Sequence, residues 1–185
     1  MRLYRVIPYD ESVAPTERGG ALFVPAGGGN RIDNADLYDV LYVAAAPEAA
    51  IAESFGRIPI WAPETFVHGS GRPHQIVTYE LPDTTKIFDL NDVAALQSLG
   101  ISHPTEVVTR HRARTQAWAR AIFERGGYAG ARGWSYYEPE WAVTGLWDRN
   151  GITVVGTPEI LNVDDVAVRN AAATIARQLL PRTRA

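Results

Sequence analysis

The chain has 185 residues, a length that favours one folded domain with a substantial hydrophobic core. Hydrophobic residues make up 46% and charged residues 21% of it, which excludes a wholly disordered or fibrous protein. The formal net charge of −3 provides no overall attraction for nucleic acid or an anionic membrane, and with no cysteine the chain cannot use disulfides, thiol nucleophiles or thiolate metal ligands.

The hydropathy pattern bears on the location of the protein. No apolar run approaches the roughly 20 residues that span a bilayer, and the amino-terminal residues lack the apolar core of a signal peptide. We therefore expect a cytoplasmic protein without a membrane partner.

Short strands and one helix are predicted near the amino terminus. Residues 2–7, 21–25 and 40–44 are rich in β-branched, aromatic and other apolar side chains, which favours strands. The third is almost continuously apolar, as expected for a strand buried on both faces. Pro47 suits the first turn of a helix, and Gly56 suits its end.

The rest of the chain mixes strands and helices unevenly. Residues 58–75 predict a loop, and residues 76–81 and 85–90 alternate in a way that predicts a β-hairpin. Residues 134–137 fit either a strand or a loop that leads into one. Further strands are predicted at 142–147 and 152–155, and helices at 91–100, within 110–127, and at 164–180 before Pro181. This mixture predicts an α+β fold rather than a doubly wound parallel sheet.

A glycine run at residues 27–29 opens a loop that carries Arg31. The run lacks the spacing of a phosphate-binding Walker loop, and it does not have the glycine pattern of a dinucleotide fingerprint. A guanidinium beside flexible backbone amides could clamp an anion, and an ordinary surface turn explains the same residues about as well. Arg5, inside the first predicted strand, similarly fits either an exposed edge or a polar cleft.

Tyr42 and Glu53 are two further candidates with open alternatives. Tyr42 lies at the centre of the strand at 40–44, where it could be a core side chain or an aromatic wall for a planar ring. Glu53 lies about 200° around the predicted helix from Ile51, beside small alanines. It could be a working carboxylate that a ligand approaches closely, or an exposed helix glutamate.

Histidine, serine and arginine residues in the second half give no motif of their own. His68 and His74 are six residues apart, which matches no helical metal motif, so we predict no metal site. Ser135 lacks the G-x-S-x-G setting of a hydrolase nucleophile but could donate to a ligand. A basic cluster, Arg110–Arg114, fits a nucleic-acid patch less economically than a solvated helix start or a pyrophosphate contact.

Several stretches together resemble the RES-domain family, which is named for an arginine, a glutamate and a serine and includes NAD-consuming toxins of RES/Xre toxin–antitoxin pairs. The separation of 11 residues between Tyr42 and Glu53 and the leading L-Y-R are the more specific marks. The matching stretches are LYRV at 3–6, GGGNRID at 27–33, VLYVA at 40–44, AAIAESFGR at 49–57 and GARGWS at 130–135.

The resemblance implies a single RES domain over residues 1–185. Its fold is expected to be α+β and ADP-ribosyltransferase-like, with small, twisted, mostly antiparallel sheets and flanking helices around an NAD cleft.

The resemblance also implies roles for individual side chains. Arg5 and Arg31 would contact the phosphates and ribose of NAD, and Tyr42 would flank the nicotinamide. Glu53 would orient the adjacent ribose and stabilise oxocarbenium-like charge. Ser135 would bind ligand, with Thr115 as a second candidate hydroxyl.

The function implied is an NAD-degrading enzyme that splits the nicotinamide–ribose bond by phosphorolysis or hydrolysis, with NAD and inorganic phosphate as substrates and no bound cofactor or metal. Alternatives are a protein ADP-ribosyltransferase that uses the same cleft and an inactive RES-fold binding module. A cognate Xre-like antitoxin is the expected partner, and direct nucleic-acid binding is not expected. The oligomeric state stays open between a homo-oligomer and a complex with the antitoxin.

Overall fold

The computed structural model describes residues 1–107 and 109–180, and its elements alternate irregularly between strand and helix. The helices are α1 (Pro47–Phe55), α2 (Val93–Ser98), α3 (Arg112–Arg125) and α4 (Val166–Thr174). The strands are β1 (Arg2–Ile7), β2 (Leu41–Ala44), β3 (Ile60–Trp61), β4 (Gln75–Glu80), β5 (Ile87–Asp89), β6 (Gly130–Trp134), β7 (Ala142–Leu146), β8 (Thr153–Ile160) and β9 (Gln178–Leu179).

Seven strands form one sheet in the order β5-β6-β7-β2-β1-β4-β8, while β3 and β9 form a separate parallel pair. Every neighbouring pair in the large sheet is antiparallel except β5 and β6. That parallel pair requires a long crossover, which residues 90–129 provide through α2 and α3. The predicted α+β class and mostly antiparallel pairing are confirmed, but one large sheet dominates instead of several small ones.

Two apolar clusters hold the helices in place. One joins α1 to α4 through Ile51 and Val168, both fully buried, and the other joins α3 to β5 and β6 through Ile122, Phe88 and Ala131. Burial of such side chains stabilises a fold by about 1.5–3 kcal/mol each. The two clusters hold α1 and α3 separately, and an open space remains between α1 and the start of α3.

The strand predicted at residues 21–25 is wrong, because Ala21 and Leu22 lie in a turn and no strand pairs with the segment. Its carbonyl groups accept hydrogen bonds from side chains instead of from a neighbouring strand. Arg5 Nη1 donates to Phe23 O at 2.8 Å, and the buried Tyr79 hydroxyl donates to Ala21 O at 2.6 Å. Arg149 Nη1 donates to Leu22 O at 3.1 Å.

The predicted hairpin of residues 76–81 and 85–90 is also wrong. Both strands exist, but β4 lies between β1 and β8, whereas β5 lies at the opposite edge beside β6. The turn at Pro82 leads the chain away from β4, and Leu81 N donates to Met1 O at 2.9 Å. Alternation identified two strands correctly, but it carries no information about which distant strand each one pairs with.

The carboxyl-terminal helix is shorter than the predicted 164–180. It ends at Thr174 in a Schellman motif, in which Arg177 N donates to Ala172 O at 2.7 Å and Ala176 N donates to Ala173 O at 3.3 Å. Ala176 takes the left-handed conformation, φ 53°, that glycine usually fills, so the sequence carried no stop signal there. Pro181 lies outside the described residues.

Other elements are close to their predicted positions. The predicted strands at 2–7, 40–44, 142–147 and 152–155 and the helix from Pro47 to Gly56 are confirmed. The loop predicted at 58–75 holds the two-residue strand β3, and residues 135–137 follow β6 as a loop. Across the described part of the chain, none of the helices combines the length and apolar character that a membrane crossing requires.

Candidate active site

A cleft of about 1020 Å³ opens between α1 and the start of α3. Its floor includes Tyr4, Arg5 and Val6 of β1 and Tyr42 of β2, and its walls include the loop at residues 30–31, α1 and its end, the start of α3 and the loop after β6. Among the lining residues, Glu53 is the one carboxylate, whereas arginine recurs. The lining arginines are Arg5, Arg31, Arg57, Arg110, Arg112 and Arg177. The cleft is therefore positively charged, although the whole chain carries a net charge of −3.

Glu53 is held by Ser135. The Ser135 hydroxyl donates to Glu53 Oε1 at 2.6 Å and accepts from Tyr137 N at 3.1 Å. Ser135 is 1% exposed, whereas the Glu53 side chain is open to the cleft. The serine therefore contacts a ligand only through Glu53, and its geometry makes it a positioning group for the carboxylate.

Local sequence places Glu53 at the cleft. Ala49 and Ala50 are buried against β2, which seats α1 closely on the sheet, and Glu53 emerges one turn later. Gly56 follows the helix, and a Cβ at this position would collide with the Tyr137 ring and with Ala52 O. Glycine here lets Tyr137 pack against the end of α1, beside Glu53.

Tyr42 is fixed by Asp33. The Tyr42 hydroxyl donates to Asp33 Oδ1 at 2.6 Å and accepts from Ile32 N at 3.4 Å. Burial, and secondly the Asp33 carboxylate, raise the pKa of Tyr42 above its ordinary value of 10.0. Gly145 pairs with Tyr42 across the sheet, and a side chain there would collide with Ile32. The loop that carries Arg31 can therefore lie directly over the sheet.

Arg31 and Arg5 both line the cleft with Tyr42. Burial lowers the pKa of Arg31 from 12.5, while Glu53 and Tyr42 nearby act in the opposite direction. Arg31 Nη1 has one long hydrogen bond, 3.4 Å, to Val107 O. Burial also lowers the pKa of Arg5, whose Nη1 is bound to Phe23 O. Both guanidiniums are thus partly desolvated and remain charged, which strengthens their attraction for an anion.

The remaining lining arginines differ in how firmly the protein holds them. Arg177 donates to Gly56 O and Ile175 O, so it ties α4 to the end of α1. Arg112 Nε donates to Gly29 O at 3.1 Å, and Arg110 Nη2 donates to the Tyr136 hydroxyl at 2.8 Å. Arg57 is exposed to the cleft, and within residues 1–107 and 109–180 no carboxylate forms an ion pair with it.

Two residues singled out from the sequence lie outside this cleft. Thr115 is fully buried in α3, and its hydroxyl donates to Arg112 O at 3.1 Å. Arg114, part of the basic cluster, forms an ion pair with Glu106 and lines a different surface hollow. The structure therefore brings together Arg5, Arg31, Tyr42, Glu53 and Ser135, and it leaves Thr115 apart from them.

Sequence reasoning missed Asp33, Arg57 and Tyr137. Asp33 stands inside the stretch GGGNRID, but its contact with Tyr42 depends on the fold. Arg57 follows the glycine that ends α1, one turn beyond Glu53, so helical spacing could have suggested it. Tyr137, in the loop after β6, gave no signal beyond its place in an aromatic stretch.

The arrangement suits a ligand with phosphate groups and a centre that becomes positively charged. Arginines bind phosphate oxygens through paired N–H donors, and Tyr42 offers an aromatic surface. A fixed carboxylate such as Glu53 stabilises oxocarbenium-like charge when a glycosidic bond breaks.

Comparisons with known proteins identify the family and the fold of this chain. The sequence model of the RES domain matches residues 2–159. A chain from the crystal structure of the M. tuberculosis MbcT–MbcA toxin–antitoxin complex has a similar fold, with a TM-score of 0.59 and 14% sequence identity, covering 95% of this chain and 88% of that chain. Sequence comparison with curated proteins gives no match. Since the family match covers most of the chain, the resemblance seen in the sequence is confirmed, and the chain belongs to the RES-domain family.

Proposed function

We propose that this chain is an NAD-degrading enzyme that breaks the bond between nicotinamide and ribose. The observation that carries the proposal is Glu53, fixed by Ser135 in a cleft that also presents six arginines and the ring of Tyr42. NAD has two phosphates for the arginines and a cationic nicotinamide ring for the aromatic wall. RES-domain membership supports the same substrate.

In the proposed reaction, the bond between the anomeric carbon and the nicotinamide nitrogen breaks, and its electron pair stays on nicotinamide. Glu53 stabilises the positive charge that develops on the ribose. An oxygen of inorganic phosphate then bonds to the anomeric carbon and gives ADP-ribose-1-phosphate. Water in place of phosphate would give ADP-ribose and release a proton.

The charge of the cleft supports phosphate as the acceptor. Arg57 and Arg110 both line the cleft, and neither forms an ion pair with a carboxylate of the described residues. An exposed guanidinium beside Glu53 would favour an anionic nucleophile over water. The ADP-ribosyltransferase-like relationship expected from the sequence is part of this proposal, since both chemistries transfer ADP-ribose from NAD.

We further propose a biological role as the toxin of a toxin–antitoxin pair, with an antitoxin protein as partner. The similar fold found in the MbcT–MbcA complex supports this role. An activity that consumes a central cofactor requires such restraint in the cell.

The test is product analysis. The purified chain is incubated with NAD, with and without inorganic phosphate, and nicotinamide, ADP-ribose and ADP-ribose-1-phosphate are measured by chromatography and mass spectrometry. Glu53→Gln should lower kcat by about 10²–10³-fold, since it removes the charge that acts in the transition state. The matched control is Glu48→Gln, on the first turn of the same helix, where the carboxylate contacts Asn170 instead of the cleft.

The outcomes separate the proposed reaction from its alternatives. ADP-ribose-1-phosphate that appears only with phosphate supports phosphorolysis, and ADP-ribose alone supports hydrolysis. Labelled protein with neither free product would show protein ADP-ribosylation instead. Equal turnover by Glu53→Gln and wild type, or no nicotinamide release by the wild type, would refute the proposal.

A further inference from the structure

Asp33 has no part in the proposed reaction, yet it joins the glycine loop to Tyr42 of β2. It is 6% exposed. Its Oδ1 accepts from the Tyr42 hydroxyl at 2.6 Å, and its Oδ2 accepts from Gly28 N and Asn30 N, both at 2.9 Å. A buried carboxylate with three donors is well satisfied, because each donor compensates part of its lost hydration.

The glycine loop is also held from its other side. Gln116 Nε2 in α3 donates to Gly28 O at 2.9 Å and to Asn30 O at 3.0 Å, and Arg112 Nε donates to Gly29 O. The N–H groups of Gly28 and Asn30 already point at the Asp33 carboxylate. Two amides that could have cradled a phosphate are therefore occupied by the chain's own anion.

Tyr42 and the glycine loop border two cavities. The loop separates the main cleft from a second hollow of about 470 Å³, and Arg5, Asn30 and Tyr42 line both of them. Arg31 is two residues before Asp33, so the carboxylate that orients Tyr42 also fixes the base of the Arg31 side chain. Movement of Asp33 would displace both groups together.

We propose that Asp33 is a positioning residue that sets the Tyr42 ring and the Gly27–Arg31 loop in the geometry that binds NAD. The inference rests on the proposed function for its substrate. Asp33 does not touch the reacting atoms. It acts through Tyr42, whose hydroxyl donates to Asp33 and accepts from Ile32 N, so that Tyr42 meets the ligand with its ring rather than with its hydroxyl.

Asparagine is the sharpest replacement for Asp33, because it keeps the shape and removes one acceptor. Its NH₂ group must face either the loop amides or the tyrosine hydroxyl, and both arrangements lose a hydrogen bond. Asp33→Asn should raise KM for NAD about tenfold, with most of the effect in KM rather than kcat. The matched control is Asp36→Asn, a nearby exposed aspartate paired with Arg120, which should leave KM within about twofold.

A double-mutant cycle tests whether Asp33 acts through Tyr42. Tyr42→Phe keeps the ring and removes the hydroxyl. If the two residues form one unit, KM of the double variant should stay within about twofold of that of Asp33→Asn. Effects that multiply would overturn the proposal, since they would mean that Asp33 and Tyr42 contribute independently.

Hydrogen exchange provides a readout that needs no turnover. The Gly28 and Asn30 amides lose their acceptor in Asp33→Ala but keep it in Tyr42→Phe, so exchange of a peptide covering residues 26–33 should rise about tenfold in the first variant only. Unchanged exchange in Asp33→Ala would overturn the proposal. If the wild type released no nicotinamide, the proposed function would fail. Hydrogen exchange of the loop and the unfolding free energies of the variants in the double-mutant cycle would still decide whether Asp33 holds the loop and Tyr42.

Discussion

Replacement of Ser135 by alanine tests whether the serine works through Glu53. The variant removes the 2.6 Å hydrogen bond to Glu53 Oε1 and leaves Tyr137 N without its acceptor. A hydrogen bond to a charged group contributes about 1.5–3 kcal/mol. Because Glu53 is open to solvent in the cleft, we take the lower end of that range. A loss of about 1.5 kcal/mol corresponds to about a tenfold fall in kcat/KM.

The cost to stability should be separate and smaller. Tyr137 is half-buried, so its freed N–H group can reach water, and we expect the unfolding free energy to fall by about 1 kcal/mol. Kinetics of nicotinamide release measure the first effect, and urea unfolding measures the second. Both are needed, because a merely destabilised enzyme would lose active protein without a change in the kcat/KM of the folded fraction.

Ser54→Ala is the matched control for this experiment. Ser54 also lines the cleft, next to Glu53 on α1, but its hydroxyl donates to Ala50 O at 2.9 Å. Its loss should change kcat/KM by less than about twofold, because it does not contact the carboxylate. If Ser135→Ala behaved like Ser54→Ala, the positioning role of Ser135 would be refuted.

Three further predictions address acceptor choice, helix termination and pH. Arg57→Gln should shift the products from ADP-ribose-1-phosphate towards ADP-ribose, as measured by mass spectrometry. Arg114→Gln, outside the cleft, is the control. An unchanged ratio of the two products in Arg57→Gln would contradict the role of Arg57 in acceptor choice. Ala176→Gly should raise the unfolding free energy in urea by roughly 1 kcal/mol, because it relieves a left-handed alanine, whereas exposed Ala173→Gly should lower it. Burial lowers the pKa of His74 in the folded chain below its ordinary value of 6.5. The unfolded chain therefore binds this proton at a higher pH than the folded chain, and the unfolding free energy falls as the pH drops below about 6.5. His74→Phe should make this fall smaller, and an unchanged pH dependence would exclude His74 as its source.

Local patterns were sufficient for the elements that support the candidate site. Apolar runs and the Pro47–Gly56 signals located β1, β2 and α1, and these elements carry Arg5, Tyr42 and Glu53. Spacing alone could not show that the three side chains meet, because each also fitted an ordinary structural role. The family resemblance linked them, and in the structure they line one cleft.

The failures have a common physical cause, which is that distant groups decided the local structure. Residues 21–25 look like a strand, but side chains from β1 and β4 satisfy their carbonyls. The end of α4 depends on a left-handed Ala176, a conformation that the sequence would have signalled only through glycine. The bond between Asp33 and Tyr42 likewise depends on how the loop crosses β2, which no motif in the sequence describes.

The contact between Ser135 and Glu53 also determines when the site can form. The two residues are 82 positions apart, and Gln116 holds Gly28 across 88 positions. Contacts between residues so distant in sequence form only after long segments have been ordered, which slows folding. During synthesis, a chain that ends before Ser135 therefore lacks the group that fixes its carboxylate. The proposed activity on NAD should thus appear only after Ser135 has left the ribosome, and nascent chains that end before it should leave NAD intact.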